Sequence, residues 1–226
     1  MGMMQYLGHA AFYVEGSGIR ALIDPFLSGN PQAPDKISEL NPNYIFVTHA
    51  HQDHLGDTVS IAQKTGAAVI ATHELAMYLQ GKGLNVVDMH VGGRKQFEFG
   101  SVKLTAAFHG SGVFEENVLV CSDTPCGFLI EVGGKKIYHA GDTGLTVEMT
   151  LLEEEIIDIA LLPIGGHYTM DISDAVRAVG FLKPKKVVPM HYNTFPPIQA
   201  DPSEFKRLLD GKTDVVILKP GEKLDL

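Results

Sequence analysis

The stretch Thr48-His49-Ala50-His51-Gln52-Asp53-His54-Leu55-Gly56-Asp57 gathers three of the chain's ten histidines with two aspartates. Imidazole and carboxylate are the side chains that hold first-row divalent metals, so this density points to metal chemistry. In an extended segment, residues two apart face the same way, which lets His49 and His51 offer their rings to one metal. A turn after them aims Asp53 and His54 elsewhere, toward a second. Neutral imidazole suits zinc, and the carboxylate at the second position admits manganese or iron.

Four neighbouring ligands cannot close two metal shells. His109 in Ala-Ala-Phe-His-Gly, Asp142 in Ala-Gly-Asp-Thr and His191 after Val-Val-Pro-Met each follow a run that reads as a strand. Gly110 and Gly141 beside two of them allow backbone to come close to a metal centre. His9 and His167 also follow strand-like runs in glycine-containing segments. A metal-activated water supplies an attack but not the proton for a leaving group. His9 and His167 are therefore candidate catalytic groups, for proton donation or oxyanion stabilisation, and Asp53 is counted with them as well as with the ligands. Asp24, in Asp-Pro, starts a turn and can orient a ligand imidazole through its free N–H. His73, His90 and His139 have no comparable placement.

The elements that must position these residues alternate along the chain. Strand-like runs at 4–7, 11–15 and 19–23 open it, and Tyr44 to Val47 is short and apolar enough for a buried strand leading into the histidine loop. Asp57 as an acidic cap and Gly66 as a stop frame a helix, followed by a strand at 67–71 and a helix near 74–80. Further strands are expected at 84–88, 95–99, 102–108, 127–132 and 136–139. The last third alternates helices over 147–154, 174–182 and 203–209 with strands over 157–163, 186–190 and 215–218. This order predicts two sheets face to face with helices outside, a four-layer αββα sandwich of the α/β class. No linker or repeat divides it, so residues 1–226 read as one domain.

Composition narrows the function. Eighteen basic against 27 acidic side chains give a net charge of −9, the wrong balance for a protein that lives on phosphate contacts, so nucleic acid is not an expected partner. No apolar run is long enough for a membrane helix, and no secretory signal opens the chain. Two cysteines are too few for a disulfide framework, and both are expected to be reduced in a cytoplasm. The loops at 191–199 and 111–125 flank two proposed ligands. Their Tyr192, Phe195, Pro196, Pro197, Val113 and Phe114 offer an apolar pocket wall for a small-molecule substrate. No arginine stands beside a proposed ligand to clamp a carboxylate or phosphate.

The His-x-His-x-Asp-His loop, with an early Asp-Pro, a lone His, an Asp and a final His in that order, resembles the metallo-β-lactamase superfamily over nearly the whole chain. Gly8-His9-Ala10, Ile23-Asp24-Pro25, Pro163-Ile-Gly-Gly-His167 and Pro189-Met-His-Tyr192 resemble a compact set of metal-dependent hydrolases within it, similar to sugar-phosphate lactonases and a membrane-lipid phospholipase D. The resemblance implies that His49, His51 and His109 hold one divalent metal. It implies that Asp53, His54 and His191 hold a second, that Asp142 bridges them, and that a shared hydroxide is the nucleophile. Zinc is the first expectation, with manganese, nickel or iron as alternatives. Zinc β-lactamases carry Cys at the position of Asp142, which argues against antibiotic cleavage here. The expected activity is hydrolysis of a small ester, lactone or phosphodiester. The rivals are a phosphodiesterase or nuclease, an iron-bound redox protein, and a metal-binding protein without turnover.

Overall fold

The computed structural model describes residues 2–34 and 40–226. One seven-stranded sheet contains β1 (Met3–Tyr6), β2 (Phe12–Gly16), β3 (Ile19–Ile23), β4 (Tyr44–Phe46), β5 (Ala68–Thr72), β6 (Val86–Met89) and β16 (Lys223–Asp225), in the order β16-β1-β2-β3-β4-β5-β6. The other contains β7 (Arg94–Phe97), β8 (Gly100–Ala106), β11 (Cys126–Val132), β12 (Lys135–His139), β13 (Ile159–Pro163), β14 (Lys186–Met190) and β15 (Asp214–Val215), in the order β15-β14-β13-β12-β11-β8-β7. Each sheet is antiparallel on one side and parallel on the other, with the change at β3 and at β12.

Period-two alternation builds the layers. Phe12 and Val14 of β2, Phe46 of β4, and Phe128 and Ile130 of β11 enter a core shared by both sheets. The intervening Tyr13, Ile45 and Val47 face outward, onto Ala62 of α2 (Thr58–Thr65) and Leu75, Ala76 and Leu79 of α3 (His73–Gly81). On the far side, Leu129, Tyr138, Ala160 and Val187 pack under Ala175, Ala178 and Leu182 of α4 (Ile172–Leu182) and Phe205 of α5 (Pro202–Leu208). This is the expected αββα sandwich.

Four details depart from the sequence reading. The helix expected over 147–154 is a 3₁₀ helix, Val147–Glu155, whose inward residues Met149 and Leu152 are three apart, matching three residues per turn. Asp57 precedes α2 without capping it; its carboxylate instead accepts from the backbone N–H groups of Leu27 and Ser28. The loop at 111–125 contains a separate hairpin, β9 (Val113–Glu115) and β10 (Val118–Cys121). Glu116 and Asn117 join these strands with φ of 49° and 65°, as a type I′ turn requires. Finally, β16 pairs with β1 at the sheet edge, where no strand was expected.

Candidate metal centre

All the candidate side chains sit beyond the C-terminal ends of strands, along one edge of the sandwich. His9 follows β1, Asp24 ends β3 and His49 follows β4; His109 follows β8, Asp142 follows β12 and His191 follows β14. Open α/β sheets place ligand sites at this edge.

Asp24 organises the first loop. With φ of 45° it turns its buried carboxylate back under the loop, where Oδ1 accepts from the Thr48 N–H at 2.8 Å and Oδ2 from the Thr48 hydroxyl at 2.7 Å. The Thr48 hydroxyl proton is thereby committed, so the hydroxyl oxygen accepts from Nδ1–H of His49 at 3.0 Å. Oδ2 also accepts from Nδ1–H of His54 at 2.7 Å. With Nδ1 so engaged, both rings present Nε2 to the cluster as the atom a cation would take, the orientation that outer hydrogen-bond partners give ligand imidazoles in metal sites.

The turn after His51 is a single helical turn, α1 (Gln52–Leu55), held by His54 and Leu55 N–H groups on the His51 carbonyl. Gly56 ends it with φ of 43°, and a Cβ there would lie 2.3 Å from the Pro25 carbonyl oxygen. This turn sets Asp53 against His9 and leaves the His54 ring centroid 4.1 Å from that of His49. His49 Nε2 stands 3.0 Å from His51 Nδ1, and the His109 ring centroid is 5.1 Å from that of His49 and 5.2 Å from that of His51.

Asp142 lies among these rings. Its Oδ1 is 3.2 Å from His54 Nε2, and its Oδ2 is 3.0 Å from His191 Nε2 and 3.6 Å from His109 Nε2. Gly141 permits this position: with φ of 63°, a Cβ there would come within 2.6 Å of the Cys126 carbonyl oxygen. His54 Nε2, both ring nitrogens of His191 and Asp142 Oδ1 are buried without a hydrogen-bond partner. Buried atoms of this kind need a partner, and a cation among them would serve His54 Nε2, one nitrogen of His191 and Asp142 Oδ1. Three sets of donor atoms lie within 4.8 Å of one another: His49, His51 and His109; His49, His54 and Asp142; and His9, Asp53, His54 and His191. The donor chemistry and the orphaned atoms fit divalent cations.

The electrostatics of the metal-free site agree. Burial opposes a charge on His54, yet Asp142 and Asp24 outweigh it and hold its pKa well above the ordinary value. Burial likewise opposes ionisation of Asp142, but His54 and His191 hold it well below the carboxylate range. Burial, reinforced by His54, pushes His49 well down. Asp142 thus remains charged in the interior, with His54 as its proton-bearing counterpart, and a cation would offer it the same balance.

A beta-lactamase superfamily domain model matches residues 3–191. The chain is 55% identical over 203 residues to a UPF0173 metal-dependent hydrolase of Alkaliphilus metalliredigens, covering 90% of this chain and 91% of that one. It is 50% identical over 225 residues to another from Carboxydothermus hydrogenoformans, covering 98% of each. Igni18, a metallo hydrolase from Ignicoccus hospitalis, superposes with a TM-score of 0.90 at 39% identity, covering 100% of this chain and 99% of that one. The chain belongs to the metallo-β-lactamase superfamily, among its metal-dependent hydrolases. Its two-sheet sandwich is the fold of that superfamily.

In this hydrolase a cavity of about 350 Å³ opens over the cluster, lined by His51, Asp53, His109, Asp142 and His191 and walled by Tyr168, Phe195 and Pro197. Among the described residues, no lysine or arginine lines it. Of the apolar wall expected from sequence, Phe195 and Pro197 take that place. Tyr192 is buried in the core beneath α4, Val113 packs beneath α3, and Phe114 stands exposed on the hairpin.

His9 is fully buried, with Nε2 3.1 Å from Asp53 Oδ2 and its ring centroid 4.1 Å from that of His191. Burial lowers its pKa to about 4, so the ring is neutral. Asp53 stands between it and the cavity; burial opposes the Asp53 charge, and His9 and His54 hold its pKa low. His167 is exposed, with its ring edge-on against Tyr168 at 4.4 Å. The structure does not bring His167 into the cluster: the left-handed backbone at 167, φ of 57°, leaves Tyr168 as the residue lining the cavity. Sequence reasoning passed over Tyr168, whose only signal was its place after the Gly-Gly-His segment. His139 is structural, with Nε2 on the Ala10 carbonyl and Nδ1 accepting from Gly141 N–H. His73 pairs with Asp88 and stacks on His90 at the surface. Cys121 and Cys126 are unpaired.

Proposed function

We propose that residues 1–226 form one catalytic domain that holds two divalent cations and hydrolyses a small, uncharged ester or lactone. In this reading His49, His51 and His109 hold one cation, Asp53, His54 and His191 hold the other, and Asp142 contributes an oxygen to each. The observation that carries it is Asp142: a buried carboxylate with imidazole nitrogens at 3.0, 3.2 and 3.6 Å and an oxygen lacking any hydrogen bond. When bound, the cations would lower the pKa of water and polarise the carbonyl under attack.

The chain's own groups do the rest. Asp24 holds His54 directly and His49 through Thr48, so neither ring can rotate away from the cavity floor. Phe195 and Pro197 cover an apolar acyl or ring substituent and keep water from that side, and Tyr168, which also lines the cavity, offers a hydroxyl as a hydrogen-bond donor to the departing oxygen. A phosphodiester calls for cationic side chains on its non-bridging oxygens, and the described residues of the cavity supply none. Zinc fits the histidine-rich donor set best, and the unpaired thiols suit a reducing cytoplasm.

A panel of chromogenic esters, lactones and phosphodiesters, assayed with zinc, manganese, nickel or iron, tests the reading. Esters or lactones should turn over fastest, chelation should remove the activity, and Asp142→Ala should abolish it in a folded protein. Faster cleavage of phosphodiesters, or oxygen consumption by an iron-loaded form, would overturn it.

A further inference from the structure

We propose that His9 is a protein ligand of the cation position formed by Asp53, His54 and His191. This deepens the dinuclear reading and rests on it. The donor atoms of these four residues all lie within 4.8 Å of one another. Two donors sharing a cation at about 2.0–2.2 Å stand no more than about 4.4 Å apart, so the group needs only slight closure to surround one ion.

The hydrogen-bond network supports one His9 tautomer for the cation-loaded site. The Gln32 amide is oriented by two partners that admit one arrangement: Oε1 accepts from the His9 backbone N–H at 3.1 Å, and Nε2 donates to the Tyr192 carbonyl at 3.1 Å. Thr194 donates its hydroxyl proton to the same Oε1 at 3.2 Å. In that arrangement the Thr194 oxygen accepts from His9 Nδ1–H at 2.9 Å and His9 Nε2 keeps a lone pair; the other tautomer donates Nε2–H to Asp53 instead. That lone pair faces Asp53 Oδ2 at 3.1 Å. Two acceptors in contact inside a buried site repel unless a cation lies between them.

Thr194 and Gln32 stand to His9 as Thr48 and Asp24 stand to His49. In each case the ring's Nδ1–H is taken by a threonine hydroxyl whose own proton goes to a fixed acceptor, and Nε2 points at the cluster. Outer hydrogen bonds of this kind set ligand imidazoles in metal sites. The backbone at His9 is also fastened in the left-handed region, φ of 57°, by His191 N–H and the Tyr6 hydroxyl on its carbonyl. Such a conformation persists only where its surroundings over-determine it.

With His9 included, one position has four protein donors besides Asp142, and the other has three histidines. A closed shell suits a structural cation and an open one suits a reacting cation. Two ligands of each position line the cavity, His51 and His109 of one and Asp53 and His191 of the other, so the number of donors and not exposure distinguishes the two cations.

The test is zinc titration of the chelator-stripped full-length protein by calorimetry, with metal content measured after desalting. Wild type should bind two zinc ions per chain. His9→Ala should weaken one of them by about 100-fold or more and retain one, and Thr194→Val should weaken the same one by about tenfold. Two zinc ions held by both variants as tightly as by wild type would overturn the role of His9 alone, and a wild type that binds no zinc would overturn it together with the dinuclear reading. If His9→Ala does not fold, the ¹⁵N-histidine spectrum of zinc-loaded wild type decides: His9 should show a protonated Nδ1 and a metal-shifted Nε2. A protonated Nε2 hydrogen-bonded to Asp53 would overturn the proposal.

Discussion

Asp24 Oδ2 lies 2.7 Å from His54 Nδ1, and neither side chain touches solvent. The same oxygen accepts the Thr48 hydroxyl proton, so one carboxylate fixes the tautomers of two imidazoles from beneath the cluster.

Asp24→Asn keeps the size of the group but replaces one acceptor with a donor. The substitution should lower zinc affinity by about 10–100-fold, as loss of an outer hydrogen-bond partner does, and should cost roughly 1–3 kcal/mol of stability through unsatisfied buried groups. Calorimetric zinc titration and urea unfolding measure the two effects. Wild-type affinity in a folded Asp24→Asn protein would contradict this orienting role.

Gly56 ends α1 in a conformation and a space that admit no side chain. Gly56→Ala should therefore destabilise the protein by at least about 1–2 kcal/mol, from backbone strain and collision with the Pro25 carbonyl. Zinc affinity should fall as well, because α1 carries Asp53 and His54. Unfolding curves and metal content read both changes.

Phe195 lines the cavity without approaching the cluster as a donor. Removing its ring should weaken ground-state and transition-state binding alike. Phe195→Ala is expected to raise KM for an apolar ester by about fivefold, the worth of roughly 1 kcal/mol of contact, with kcat nearly unchanged. Steady-state kinetics on two esters differing in acyl length would show the penalty growing with the longer chain.

The metal-free protein should lose stability as pH falls from about 6.5 to about 4. Burial holds His9 at about 4 and lowers His49 and His109, whereas the unfolded chain protonates its histidines near about 6.5. Over that interval the unfolded state binds more protons, so falling pH favours it. His54 has the opposite sign. Burial opposes its charge but Asp142 and Asp24 raise its pKa, so its contribution is full below about 6.5 and is lost as pH rises through the folded value. Thermal melts of the stripped protein across this range should show Tm falling with pH, and a rise would contradict the assignment.

The layers were legible because period-two alternation in runs such as Phe12-Tyr13-Val14 and Phe128-Leu129-Ile130 is written locally. The candidate donors beyond strand ends were legible for the same reason. The contacts of His9 were not, since Asp53, Gln32, Thr194 and His191 reach it across separations of 23 to 185 residues. The pairing of β16 with β1 is equally non-local, and Lys223-Leu224-Asp225 carries no strong strand signal of its own. Backbone direction explains the exchange of His167 for Tyr168 at the cavity: a left-handed residue turns the chain by an amount that strand-end spacing does not encode.

The donors come from both halves of the sandwich: His9, His49, His51, Asp53 and His54 from the ends of one sheet, His109, Asp142 and His191 from the ends of the other. Ions seated among them would rivet the two sheets together at one rim. Cation loading would then act as a cross-link that tightens the sandwich, adding about 2.7 kcal/mol at free metal a hundredfold above Kd. Conversely, damage to the packing between the sheets would register first as lost metal, long before either sheet came apart.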